Sequence, residues 1–181
     1  MKIVYLVFLF LFLYGKANSQ LFDNNWPLGY YDNAGGFDSI DNGLMIINFE
    51  VGFPPIEKSF PNIRLDGTNA IISDSMGNLE CFTNGVNVYN NQYEIIENGE
   101  EFQSSDTYEA GYLLPQGAII LPLPEGNREY AFLLGDLAWF DFNGIATAGI
   151  SPLTYSLIDM NGNNGVGTVC LLYTSPSPRD S

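Results

Sequence analysis

Leu79-Glu80-Cys81-Phe82-Thr83-Asn84-Gly85-Val86-Asn87-Val88-Tyr89 is the stretch on which the fold turns. Two runs of strand-forming residues flank an Asn-Gly pair. Asn-Gly supplies the positive φ angles of a tight type I′ turn, and β-branched residues suit the strand ends beside it. The pattern predicts strands over 79–83 and 86–89, paired across a two-residue loop at Asn84-Gly85. Alternation puts Leu79, Cys81 and Thr83 on one face and Glu80 and Phe82 on the other. Val86 and Val88 then share the face of Thr83 and Cys81, because opposed residues point the same way.

The same punctuation recurs along the chain. Asn-Gly pairs begin at 42, 84, 98, 143, 161 and 164. Short apolar or alternating runs lie between them, at 44–49, 70–73, 118–123, 130–134, 137–142 and 153–158. They are rich in Ile, Val, Tyr and Phe, which suit a pleated surface. No window sustains a helical stripe over three turns, so the chain reads as all-β, built from antiparallel hairpins. With 181 residues, 46% of them hydrophobic and 15% charged, there is ample apolar surface for a core. Gly77-Asn78-Leu79-Glu80-Cys81-Phe82 is echoed 49 residues later by Gly126-Asn127-Arg128-Glu129-Tyr130-Ala131-Phe132. That offset is near the length of one propeller blade, ~40–50 residues. The expected architecture is a truncated β-propeller-like repeat with one open, apolar face; a β-sandwich is the alternative.

Both ends read as something other than fold. Lys2 followed by an apolar run over 3–14 and the small residues Ala17-Asn18-Ser19 marks 1–19 as a signal peptide, too short to span a bilayer as a helix. Residues 170–181, from Cys170-Leu171-Leu172-Tyr173-Thr174 onward, resemble the translation of a sequencing-library transposase adapter. The domain is then 20–169, the N-terminal part of a longer chain whose C-terminal remainder is missing. Three basic residues (Lys58, Arg64, Arg128) and 20 acidic ones remain in it, a net charge of −17 over 150 residues. Such a chain repels phosphates, so neither nucleic acid nor an anionic membrane surface is an expected partner.

Several segments together resemble a known family, the N-terminal region of large secreted Bacteroidota proteins that usually carry a type IX secretion C-terminal sorting domain. Trp26-Pro27-Leu28-Gly29 resembles the family's opening Trp-x-x-Gly, and Gly52-Phe53-Pro54-Pro55 its Gly-x-Pro-Pro stretch. The segment from Ala70 to Val86, with Ser73-Asp74 and Gly77-Asn78-Leu79 inside it, resembles the signature SD-x-x-GN-LLFYTNG. Ile95-Ile96-Glu97-Asn98-Gly99, Gln116 to Pro124, and Leu153 to Met160 with Gly165-Val166-Gly167 resemble three further family segments. The sequence departs from the family at Glu80-Cys81, and between Leu134 and Ser151, which looks like an insertion. The resemblance implies a propeller-like domain, secreted or displayed on the cell surface.

The chain contains no histidine, which removes Ser-His-Asp and Cys-His catalysis and every His-ligated metal site. Asp159, Asn161 and Asn163 place oxygens at alternate positions, as a calcium loop does; a plain Asn/Gly turn explains the same residues. Calcium is therefore the one cofactor in view, and none is required. Close carboxylates occur at Asp38/Asp41, Glu100/Glu101 and Asp106/Glu109. They fit either a glycosidase pair or a solvated acidic surface. Trp26 and Trp139 are candidates for stacking on a sugar ring, against the ordinary reading of core anchors. Cys81 reads as a small buried hydrophobe. The functional expectation is a non-enzymatic module that binds a protein or glycan through its loops. The alternative is a secreted polysaccharide hydrolase using paired carboxylates.

Overall fold

The computed structural model describes residues 21–30, 43–49, 56–60, 63, 65, 67–102, 112 and 114–174. The protein is all-β, in three antiparallel sheets made of strands consecutive in sequence. Sheet A joins β1 (Asn25–Tyr30), β2 (Gly43–Asn48) and β3 (Ile56–Phe60) in that order. Sheet B joins β4 (Ala70–Ser73), β5 (Leu79–Thr83) and β6 (Val88–Asn90). Sheet C joins β7 (Ala118–Pro122), β8 (Glu129–Phe142), β9 (Ile145–Asp159) and β10 (Thr168–Thr174).

Sheet B lies between the other two and is buried on both sides. Ile72, Cys81 and Val88 from one of its faces pack with Ile120, Tyr130, Phe132, Leu134, Ile158 and Val169 of sheet C. Phe82 and Tyr89 from the other face pack with Leu44 and Ile46 of sheet A, joined by Ile63 and Leu65. A half-exposed sheet needs apolar residues at every second position; a central one needs them nearly everywhere. The β5 sequence meets the second condition, and its residues from Glu80 to Thr83 are all buried. The segment after β6 closes sheet B onto sheet C. Glu97 pairs in parallel with Thr168, and Val169 N–H donates to its carbonyl at 2.9 Å.

The deciding hairpin forms between the expected strands, with a different loop. Thr83 faces Val88 rather than Val86, and Cys81 faces Asn90. Four residues, 84–87, therefore make the turn. Asn84 accepts hydrogen bonds at its side-chain oxygen from the N–H groups of Val86 (3.1 Å) and Asn87 (2.9 Å). Thr83 Oγ1 accepts from Gly85 N–H at 2.9 Å and donates to the Asn87 carbonyl at 2.7 Å. These side-chain bonds offer the backbone a wider turn than type I′. The shift is two residues, so the faces keep their parity, and Val88 stays on the side of Cys81 and Thr83. Glu80 does depart from the expected face. A bulge between Ile72 and Ser73 leaves it without a partner on β4, and its carboxylate meets Arg128 on the side of sheet C.

The two-residue Asn-Gly hairpin occurs instead at Asn143-Gly144, where φ is 55° and 80° and Phe142 faces Ile145. The run at 137–142 thus continues 130–134 as one strand. The apparent insertion after Leu134 is the far end of a long ribbon, to which neither β7 nor β10 extends among the described residues. A register shift between Gly135 and Leu137 marks its base, where Asp136 accepts a 2.7 Å hydrogen bond from the Tyr112 hydroxyl. At the other boundary, β10 runs through Cys170 to Thr174, with a register shift between Val169 and Leu171. Residues 1–19 lie outside the described residues, and among the described residues no helix is long and apolar enough to cross a membrane.

The two loops differ in what a methyl group would cost. Gly144 is surrounded by open space, so Gly144→Ala bears only the left-handed backbone penalty, about 1 kcal/mol. At Gly85 (φ 83°) an added Cβ would also come within 2.7 Å of Tyr112 Cβ and 2.8 Å of Thr68 Cγ2. Gly85→Ala is expected to lose about 2–4 kcal/mol, the backbone penalty plus overpacking. Urea denaturation of the two variants side by side checks the order.

Candidate functional site

A groove of about 620 Å³ runs between β1 and the edge strands β4 and β7. Phe22, Asp23, Asn25 and Trp26 form one wall, Ile71 and Ile72 another, and Ile119 to Pro122 the third. The wall carrying Trp26 is firmly held. Asn25 Nδ2 donates to Ser73 Oγ and to the Gly77 carbonyl, both at 2.9 Å. Asn24 Nδ2 donates to the same carbonyl at 3.1 Å, and Ser73 N–H donates to the Phe22 carbonyl at 3.0 Å. Asn24 and Asn25 are both buried, so these bonds form away from competing water.

The Trp26 ring remains 54% exposed on this rigid base. Its Nε1–H donates to the Asp23 carbonyl at 3.1 Å, and the edge of Phe49 meets it with ring centroids 5.4 Å apart. Opposite, Ile119 and Leu121 are 48% and 45% exposed. Alternation along β7 turns these two outward while Ile120 enters the core. Among the described lining residues, Asp23 supplies the one ionisable side chain.

The other sequence-derived candidates lie elsewhere. Trp139 lies on the far half of β8, opposite Ala148 in the register. Asp159, half-buried, ends β9 and leads into an exposed turn that carries Asn161 and Asn163. There the Asp159 carboxylate accepts from Asn161 N–H at 2.8 Å, and the Asn161 amide donates to the Asn127 carbonyl at 2.6 Å. Asn163 and Asn164 adopt φ of 47° and 57°, which turns the chain back into β10. Among the described residues no group of three His, Cys, Asp or Glu could hold a metal ion. Glu100 and Glu101 are exposed, and Glu101 N–H donates to Asn87 Oδ1 at 3.1 Å. Asp38, Asp41, Asp106 and Glu109 lie outside the described residues. Cys81 is fully buried; burial first, and then the Glu80 charge, push its thiol far above the usual range. A thiol held protonated this way is a packing group rather than a nucleophile.

Sequence reasoning missed the Glu80–Arg128 pair. Arg128 Nε donates to Glu80 Oε1 at 2.8 Å and its Nη2 to Oε2 at 3.0 Å, a two-pronged bond joining sheets B and C. The carboxylate raises the Arg128 pKa further, and burial with this charge pushes the Tyr130 hydroxyl up. The signal was present in the 49-residue echo, whose two halves each open the second strand of their sheet. Comparison with protein-family models, curated proteins and solved structures finds no match to this chain.

Proposed function

We propose that the protein is a secreted or cell-surface, non-enzymatic β-repeat module that holds an apolar protein segment in the groove beside Trp26. The observation that carries this reading is the exposed indole on a rigid, buried hydrogen-bonded base, facing Ile119 and Leu121. An aromatic anchor already fixed in its bound geometry loses little entropy on binding. The lining favours a peptide over a sugar, which needs several hydrogen-bonding side chains around its ring. Here Asn25 spends its donor internally, and Asp23 supplies the charge. The layering of three successive meanders, with the echo at equivalent strands, supports a propeller-like repeat.

Panning a random peptide display library against the protein tests the reading. Enriched peptides should carry an aliphatic or aromatic residue, and Trp26→Ala should weaken them by roughly 30-fold or more. Binding on a glycan array that depends on Trp26, with no peptide enriched, would transfer the groove to sugars. Hydrolysis of a polysaccharide by the purified protein would restore the hydrolase alternative.

A further inference from the structure

Among the described residues, the groove beside Trp26 carries charge of one sign. Asp23 is exposed in the turn that leads into β1, and it lines the groove together with Trp26. The 3.1 Å bond from Trp26 Nε1–H to the Asp23 carbonyl ties the indole to the residue that bears the carboxylate. Arg128 is the one basic group among the described side chains, and Glu80 engages both prongs of its guanidinium. No cation of the described residues pairs with Asp23. We infer that the segment held in the groove is apolar and bears an arginine, whose guanidinium meets both the Trp26 ring and the Asp23 carboxylate. This rests on the reading of the groove as a peptide site and names the chemistry of its occupant.

Charge and shape select that occupant. A segment apolar along its whole length would strip water from the Asp23 carboxylate and return nothing, which is unfavourable. A cation in the segment offsets that loss, and the face of an indole is the best aromatic partner for one. Arginine fits better than lysine. Its guanidinium is planar and weakly hydrated, stacks on aromatic faces and offers a fork to a carboxylate. The whole chain acts in the same direction. With 6 basic and 21 acidic residues, a net charge of −15, it draws in a cationic segment and turns away an acidic one before contact. The apolar remainder of the segment has Ile119 and Leu121, 48% and 45% exposed, on the facing wall. A bare metal cation does not fit, since one carboxylate supplies too few oxygens for calcium.

The test takes the peptides enriched from a random display library on the full chain and measures their affinity by titration. They should carry arginine beside their aliphatic or aromatic residues. Each is then resynthesised with citrulline, the uncharged isostere, in place of arginine. The exchange should weaken binding to the unmodified protein about tenfold. On Asp23→Asn it should weaken binding about threefold or less, because only the contact with Trp26 remains. Added salt should weaken the arginine peptide and leave the citrulline peptide nearly unchanged. Peptides that depend on Trp26 but show no enrichment of arginine would overturn the inference and leave the groove reading intact. An equal citrulline penalty on the two proteins would also overturn it, assigning the attraction to the net charge of the chain rather than to Asp23. Peptides indifferent to Trp26→Ala would remove the groove reading and this inference with it.

Discussion

Phe82→Ala should reduce the unfolding free energy by about 3–5 kcal/mol, among the largest losses a single core truncation produces. Phe82 is fully buried and occupies the interface between sheets A and B. Its ring stacks on Tyr89 at 5.1 Å, with planes 16° apart, and lies 5.8 Å from Tyr93. Removing it therefore deletes both the apolar transfer term and two ring contacts. It also leaves a cavity that rigid strands on either side cannot collapse to fill. Domains of this kind hold only about 5–15 kcal/mol in total, so the variant should unfold at a much lower urea midpoint. Denaturation followed by near-ultraviolet circular dichroism measures it. A loss under about 1 kcal/mol would mean that sheets A and B do not share this core.

Arg128→Ala should cost about 3 kcal/mol, the lower part of the range for breaking a buried ion pair. The reason is an asymmetry of burial. The Glu80 side chain is 6% exposed, while that of Arg128 is 38% exposed. Taking away the arginine strands a carboxylate where water scarcely reaches. Taking away the glutamate leaves a guanidinium that still touches solvent. Glu80→Ala should accordingly be milder than Arg128→Ala by at least about 1 kcal/mol, with the double variant close to the milder single. Equal losses from the two single variants would contradict the burial pattern.

The all-β class and the strands β4, β5 and β7 were legible because their alternating or apolar runs end at turn residues. Other elements were hidden for identifiable reasons. β1 falls outside the runs read as strands, since Pro27 and Gly29 are poor strand formers. Pro27 is tolerated because β1 is the edge of sheet A, and Gly29 is required because Leu65 backbone lies against it. The Asn84 loop was misjudged because a side-chain oxygen, which no pairing rule weighs, caps two backbone N–H groups. Where that competition is absent, at Asn143-Gly144, the same dipeptide gives the expected tight turn. Trp26 was legible as a candidate by residue type. Its partners Ile119 and Leu121 were not, because the groove arises from β1, β4 and β7, which lie far apart in sequence. Alternation placed Glu80 on the face of Phe82, and the bulge before Ser73 turns it to the other side, toward Arg128.

Building every sheet from neighbouring strands also governs the route to the folded state. Each ladder within a sheet closes a short stretch of chain, so its pairing entropy is small and it can form early. The join between sheets B and C is of another kind. Asn98 Nδ2 reaches the Val169 carbonyl across 71 residues, beside the Glu97–Thr168 bridge. Compared with a loop of about ten residues, closing that span costs about 2 kcal/mol more in chain entropy. That closure becomes favourable only once the local hairpins have shortened the chain between its ends.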